Sequence, residues 1–233
     1  MSADTPPLDE QPLPHPTKRN WYWLTFQCVI RMMSVFVVRY RIRGLENIPK
    51  TGGGLMLINH QSSLDPLLAG VALQRPISYV ARDTLFPLPF IGWVLKNTYV
   101  LPINRESASS RLIKAMIRRM NHGFLVGMFP EGTRSRDGKV GPFKPGFIAM
   151  IRRCEVPIYP VGIAGANEAM PRGALIPRFR RVRVVYGQPL LPEDIKPFLE
   201  KGREEELVAL VRERIIACQN AAETWRRHGR TVE

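Results

Sequence analysis

The chain has 233 residues, with 34 Lys+Arg against 20 Asp+Glu and a formal charge of +14. With 45% hydrophobic and 23% charged residues, it is a folding chain long enough for one large α/β domain or two small ones, not a disordered one. No run of about 18 uncharged apolar residues occurs, which excludes a polytopic membrane protein; the charge instead favours an anionic partner, whether nucleic acid, membrane or phosphorylated substrate.

Residues 1–19 are Pro-rich, polar and without period, so a disordered lead is expected. Residues 20–38 follow as a helix, and residues 39–233 as the main domain. The helix, Trp21–Val38, opens with Trp21, Tyr22 and Trp23 directly after Lys18 and Arg19. Aromatic residues beside basic ones mark a membrane–water interface. Thr25, Gln27 and Arg31 weaken a spanning helix, so an amphipathic interfacial helix is favoured, with a core-packed or a spanning helix as alternatives.

Beyond it, strands and helices alternate. Strands are predicted at Tyr40–Leu45, Leu55–Ile58, Ile77–Ala81, Tyr99–Ile103, Phe124–Phe129, Pro157–Ile163 and Val182–Tyr186. Helices are predicted at Pro66–Leu73, Ser109–Asn121, Phe147–Arg153 and Glu204–Trp225. Pro102 demotes its strand to an edge or an end. This alternation predicts a single α/β domain with a mostly parallel or mixed central sheet flanked by helices. Thr84–Leu95 is apolar and broken by Pro87 and Pro89; it reads as a second membrane-facing element or as a buried loop-helix. Cys28, Cys154 and Cys218 are too few and too scattered for a disulfide framework or a zinc site.

Of the four histidines, His15, His60, His122 and His228, only His60 sits where an α/β sheet carries chemistry, between a buried strand and a helix. Asp65 lies five residues on, followed by Pro66, and reads as a helix N-cap with Pro at the first helical position. One carboxylate oxygen could take a helix N–H while the other takes the imidazole, leaving a His poised as a general base. Phe129–Ser135 (FPEGTRS) also follows a buried strand and brings a carboxylate, a hydroxyl and an arginine into the most basic part of the chain. Such a fork of donors suits a phosphate. Val100–Arg105 ends a third strand with an arginine.

Together these pieces resemble the 1-acylglycerol-3-phosphate acyltransferase family of glycerolipid acyltransferases. Asn59, His60 and Asp65 match its first block, Val100–Arg105 its second, Phe129–Ser135 its third, and Val156–Val161 its fourth, in order and with matching spacing over roughly residues 38–190. The resemblance implies His60 as general base and Asp65 as its orienting partner. It implies Arg105, Glu131, Gly132, Thr133 and Arg134 as the acceptor's phosphate site, and Pro157, Ile158 and Pro160 as part of an acyl-donor or acyl-chain site. The expected reaction moves an acyl group from acyl-CoA or acyl-ACP to lysophosphatidate, giving phosphatidate, with the thioester as co-substrate and no metal or other cofactor. Expected partners are lysophosphatidate, the acyl thioester, an anionic membrane surface and acyl carrier protein as one donor form. The expected location is the cytoplasmic face of a membrane, such as a bacterial inner membrane, in peripheral or monotopic form. A different lysolipid acceptor and a non-catalytic anionic-lipid-binding protein are the alternatives. A nucleic-acid binder rests on charge alone, lacks stacking aromatics in the basic region and is not expected.

Overall fold

The computed structural model describes residues 12–103 and 110–229. Helix α1 (Trp21–Phe36) is followed by strand β1 (Arg41–Arg43), strand β2 (Gly54–Ile58) and helix α2 (Asp65–Gly70). Next come β3 (Ile77–Ser78), β4 (Val80–Arg82), α3 (Pro89–Asn97) and β5 (Leu101–Ile103). The second half runs α4 (Ser110–Asn121), β6 (Leu125–Met128), α5 (Ile148–Ile151), β7 (Ile158–Ala164), α6 (Ala166–Ala169), β8 (Arg183–Tyr186), α7 (Pro192–Ile195) and α8 (Glu204–His228).

The main sheet has the order β1-β8-β7-β2-β6-β3. Strands β7, β2, β6 and β3 are parallel, β8 is antiparallel to β7, and β1 is parallel to β8. Strands β2 and β7 are buried at every residue, which explains their unbroken apolar sequences: helices cover both faces. The predicted strand Ile77–Ala81 is in fact two. Ile77 and Ser78 pair with β6, whereas Val80–Arg82 pair with β5 in a separate two-stranded sheet. The switch occurs at Tyr79, whose ring stacks toward Phe129 with centroids 6.2 Å apart. Pro102 sits in this small sheet, where each strand has a free edge.

Helix α8 closes the back of the sheet. Its buried stripe is Leu207, Val211, Ile215, Cys218, Ala222 and Trp225, at steps of three and four. Glu204, Glu205 and Glu206 open it, Arg226, Arg227 and His228 end it, and Gly229 at φ 68° caps it, all in accord with the helix dipole. The helix lies directly on the β7 backbone: a Cβ on Gly162 would come within 2.2 Å of the Gln219 nitrogen.

Residues 12–19 have no regular structure, but they touch the body, since Tyr99 donates its hydroxyl to the Lys18 carbonyl at 2.8 Å. Asn20 caps α1 by accepting from Trp23 N–H at 2.7 Å. Inside α1, Gln27 donates to the carbonyls of Val71 and Leu73, and Tyr22 meets Trp93 of α3 edge-on at 5.1 Å. Trp23 and Ser34 are buried, while Trp21, Leu24, Val29, Met32, Val35 and Phe36 remain exposed. Among the described residues, no helix is long and apolar enough to cross a membrane.

Candidate active site

Strand β2 ends at Ile58, and the next residue keeps the chain aligned without a strand. The Asn59 side chain accepts from Ile163 N–H at 2.7 Å and donates to Ile163 C=O at 3.0 Å, imitating one more rung of the β2–β7 ladder. This delivers His60 to the carboxyl end of the sheet with its side chain 19% exposed. Its Nδ1 lies 2.8 Å from Asp65 Oδ2. With a carboxylate as partner, Nδ1 carries the proton and Nε2 is left free to accept one.

Asp65 is not the expected N-cap. It is the first residue of α2, the cap position falls on Leu64, and the carboxylate turns back into the preceding loop. Oδ2 takes three donors: the His60 ring, Gln61 N–H at 2.6 Å and Ser62 N–H at 2.7 Å. Oδ1 is buried and has no hydrogen-bond partner among the described residues. Burial pushes the Asp65 carboxyl above the usual carboxylate range, while His60 and the two backbone donors pull the other way. A buried carboxylate beside an imidazole favours the imidazolium as it forms, which is what a general base requires.

The turn after β6 clamps His60 from the other side. His60 N–H donates to Glu131 Oε1 at 2.7 Å, and Ser135 N–H donates to His60 C=O at 2.7 Å. Both main-chain polar groups of His60 are thus held by one seven-residue motif. Phe129, at its start, stacks on the imidazole with centroids 4.2 Å apart. Glu131 is buried, and its second oxygen takes Gly141 N–H at 2.9 Å. Burial raises the Glu131 carboxyl above its ordinary value, against the hydrogen bonds from His60 and Gly141. Both of its oxygens are engaged by backbone donors, so the turn's carboxylate faces inward rather than toward a phosphate.

Residues 132–134 lie nearer the surface. Gly132, at φ 66°, adopts the left-handed conformation that the turn requires and lies under the Lys144 side chain. Thr133 is exposed and Arg134 half-buried. Arg172 donates to Thr133 Oγ1 at 3.3 Å and to the Arg134 carbonyl. A cavity of about 380 Å³ adjoins this turn, lined among others by Thr133, Ser135, Arg136 and Lys139.

Arg105 lies outside the described residues; the described strand β5 stops two positions before it. The fourth block forms strand β7 and the residues leading into it. Ile158 and Pro160 are buried in the centre of the sheet, and Pro157 leads into it. Ile158 pairs with Leu55, five residues before His60, so it lies roughly 16 Å back along the strand at about 3.3 Å per residue. Ile158 and Pro160 pack in the core and Pro157 is half-buried ahead of the strand; a part for them in an acyl-donor or acyl-chain site stays a proposal. Sequence reasoning missed Gly141, Phe129 and the pairing role of Asn59. Phe129 and Asn59 stood inside quoted motifs but without a role, and nothing in the local pattern at Gly141-Pro142 pointed to the site.

The acyltransferase family model matches residues 39–164. A 1-acyl-sn-glycerol-3-phosphate acyltransferase of Borreliella burgdorferi is 30% identical over 192 residues, covering 81% of this chain and 75% of that one. The chloroplast enzyme BAT2 of the same name from Brassica napus is 33% identical over 153 residues, and this chain spans 44% of its length. The crystal structure of the 1-acyl-sn-glycerophosphate (LPA) acyltransferase PlsC from Thermotoga maritima superposes with a TM-score of 0.73 at 25% identity, covering 88% of this chain and 80% of that one. A His–Asp pair at a strand end, clamped by a Phe-Pro-Glu-Gly-Thr-Arg-Ser turn on this fold, agrees with those likenesses, and the chain belongs to the acyltransferase family, among the 1-acyl-sn-glycerol-3-phosphate acyltransferases.

Proposed function

We propose that the protein transfers a fatty acyl group from an acyl thioester, acyl-CoA or acyl-ACP, to the free hydroxyl of 1-acyl-glycerol-3-phosphate in phospholipid synthesis. The observation that carries this reading is the His60–Asp65 pair at 2.8 Å, with both backbone groups of His60 held by the 131–135 turn. In this reading His60 Nε2 takes the hydroxyl proton as the oxygen attacks the thioester carbon. The new C–O bond forms, the C–S bond breaks, and the proton passes to the departing thiolate. Asp65 holds the imidazole and balances its transient charge. A thioester is already activated, so one base and an oriented acceptor suffice.

Thr133 and Arg134, with Arg105, are the residues proposed to hold the acceptor's phosphate, with the Gly132 backbone shaping their turn. Glu131 serves the same site by fixing His60, not by touching the anion. A bilayer acceptor also needs a membrane contact. The exposed apolar residues of α1 and the exposed Leu88, Ile91 and Trp93 at α3 meet where Tyr22 packs on Trp93, and they are proposed to rest in the interface of an anionic membrane.

The deciding experiment offers the purified chain lysophosphatidate or a monoacylglycerol, with acyl-CoA or acyl-ACP, and follows products by mass spectrometry. Phosphatidate formation that needs the acceptor's phosphate supports the reading, and the better donor identifies the thioester. Acylation of monoacylglycerol as fast as lysophosphatidate would overturn the phosphate assignment. No ester product from any pair would overturn the enzyme reading.

A further inference from the structure

The segment 172–181, between α6 and β8, takes no part in the proton transfer proposed above, yet it carries the most unusual surface of the molecule. Leu175, Ile176 and Phe179 are 91%, 78% and 74% exposed, the three highest values among the large apolar side chains described. Exposed arginines surround them at positions 172, 178, 180 and 181, with no acidic residue in between. The loop is closed at its neck. Arg178 N–H donates to Ala169 C=O at 2.7 Å, Ala174 N–H donates to Pro171 C=O at 3.1 Å, and Gly173 turns at φ 82°. The closure pushes Leu175 and Ile176 out at the tip.

Its two ends are tied to the two parts of the molecule that matter for a lipid. Arg172 holds the Thr133 hydroxyl and the Arg134 carbonyl of the active-site turn. At the other end, Val182 N–H donates to Val38 C=O at 2.9 Å, just beyond α1, whose Val35 and Phe36 are exposed. The loop therefore runs from the active-site turn to the backbone just after α1.

We propose that the 172–181 loop is a lipid-surface anchor in its own right: Leu175, Ile176 and Phe179 enter the apolar boundary of an anionic bilayer, and the surrounding arginines meet headgroup phosphates. Apolar tips flanked by guanidinium groups suit an interface that is oily below and anionic above. Nucleic acid would leave the leucine and isoleucine without a partner, and a second copy of a chain with charge +14 would bring arginine against arginine. The anchor rests on the lipid-acyltransferase reading only for its purpose; its test does not depend on turnover. Through Arg172, it would seat the 131–135 turn at headgroup depth.

The test uses the full chain with Cys28→Ser and Leu175→Cys, labelled with an environment-sensitive fluorophore; the remaining cysteines, Cys154 and Cys218, are buried. On vesicles of phosphatidylcholine and phosphatidylglycerol, the probe should brighten, resist aqueous iodide and be quenched by nitroxide-labelled lipid. Leu175→Ser combined with Ile176→Ser should weaken vesicle binding roughly tenfold or more, with acylation of a dispersed short-chain acceptor unchanged. A probe that stays open to iodide while the chain is vesicle-bound would overturn the proposal and leave α1 and α3 as the anchors. Brightening on concentrating the protein without vesicles would overturn it in favour of a contact between copies. Probe insertion by a chain that makes no ester would sustain the anchor and sink the functional reading instead.

Discussion

Replacing Glu131 separates two roles that the sequence alone cannot tell apart. If Glu131 contacts the acceptor, its loss acts on acceptor binding. If it fixes His60, its loss acts on the chemical step. In Glu131→Gln the His60 N–H at 2.7 Å can still find an acceptor, but an amide NH₂ then faces the Gly141 N–H, 2.9 Å from the oxygen it replaces. One charge-assisted hydrogen bond is lost, at about 1.5–3 kcal/mol, and a buried donor is left opposing another. For a chain of this size that corresponds to a fall in Tm of roughly 3–12 °C. A misplacement of the base of about 1 Å costs on the order of 100-fold in rate. The expected result is therefore a kcat lower by about 10- to 100-fold, with KM for lysophosphatidate nearly unchanged. Gly141→Ala perturbs the same carboxylate from behind, because its Cβ would lie 3.1 Å from Oε2, and should lower kcat in the same direction by a smaller factor. Initial rates of thiol release, measured against lysophosphatidate at saturating donor, read both constants. A raised KM with kcat intact in either variant would refute the positioning argument.

His60→Ala should remove at least about two orders of magnitude of activity while the protein melts near the wild-type temperature, and a retained tenth of the rate would take His60 out of the mechanism. Arg134→Ala should raise KM for lysophosphatidate roughly 10- to 150-fold with little change for the acyl donor; a loss confined to the donor would move the phosphate site to the thioester. Hydrogen bonds from Arg226, with a smaller contribution from Arg227, hold the Glu223 carboxyl below the usual range, so its stabilisation is present at neutral pH and fades as pH falls through that lowered value. Urea unfolding should find Glu223→Gln less stable than wild type by about 1 kcal/mol or less at pH 7, with the gap closing below about pH 4. A gap that widens toward acid would contradict that sign.

Much of this fold was legible because buried parallel strands leave unbroken apolar runs, as at Leu55–Ile58 and Phe124–Phe129, and because α8 repeats apolar residues at helical steps. Pattern cannot show where a run changes partners, so Ile77–Ala81 read as one strand although Tyr79 divides it between two sheets. The His60–Asp65 pair was legible from residue types and spacing. The direction of Asp65 was not, since an Asp before a proline resembles a cap whichever way its carboxylate turns. The clamp on His60 was hidden for a similar reason: apart from the Glu131 carboxylate, it is made of main-chain groups, which every residue possesses. The Val-Pro-Ile-Tyr-Pro-Val stretch carried a functional expectation from resemblance alone; its apolar run made it legible as the buried strand β7.

The hold of the 131–135 turn on both backbone groups of His60 bears on how this enzyme could be redesigned. If the turn also recognises the headgroup, as proposed, acceptor recognition and the base are tied by these two hydrogen bonds and cannot be altered independently by rebuilding the turn. Insertions, deletions or glycine swaps in the turn, aimed at a new acceptor, would drag the imidazole with them and lower turnover for every acceptor alike. Under the same proposal, side-chain changes at Thr133 and Arg134, which make neither hydrogen bond of the clamp, would be the route by which acceptor choice could drift while the rate is preserved.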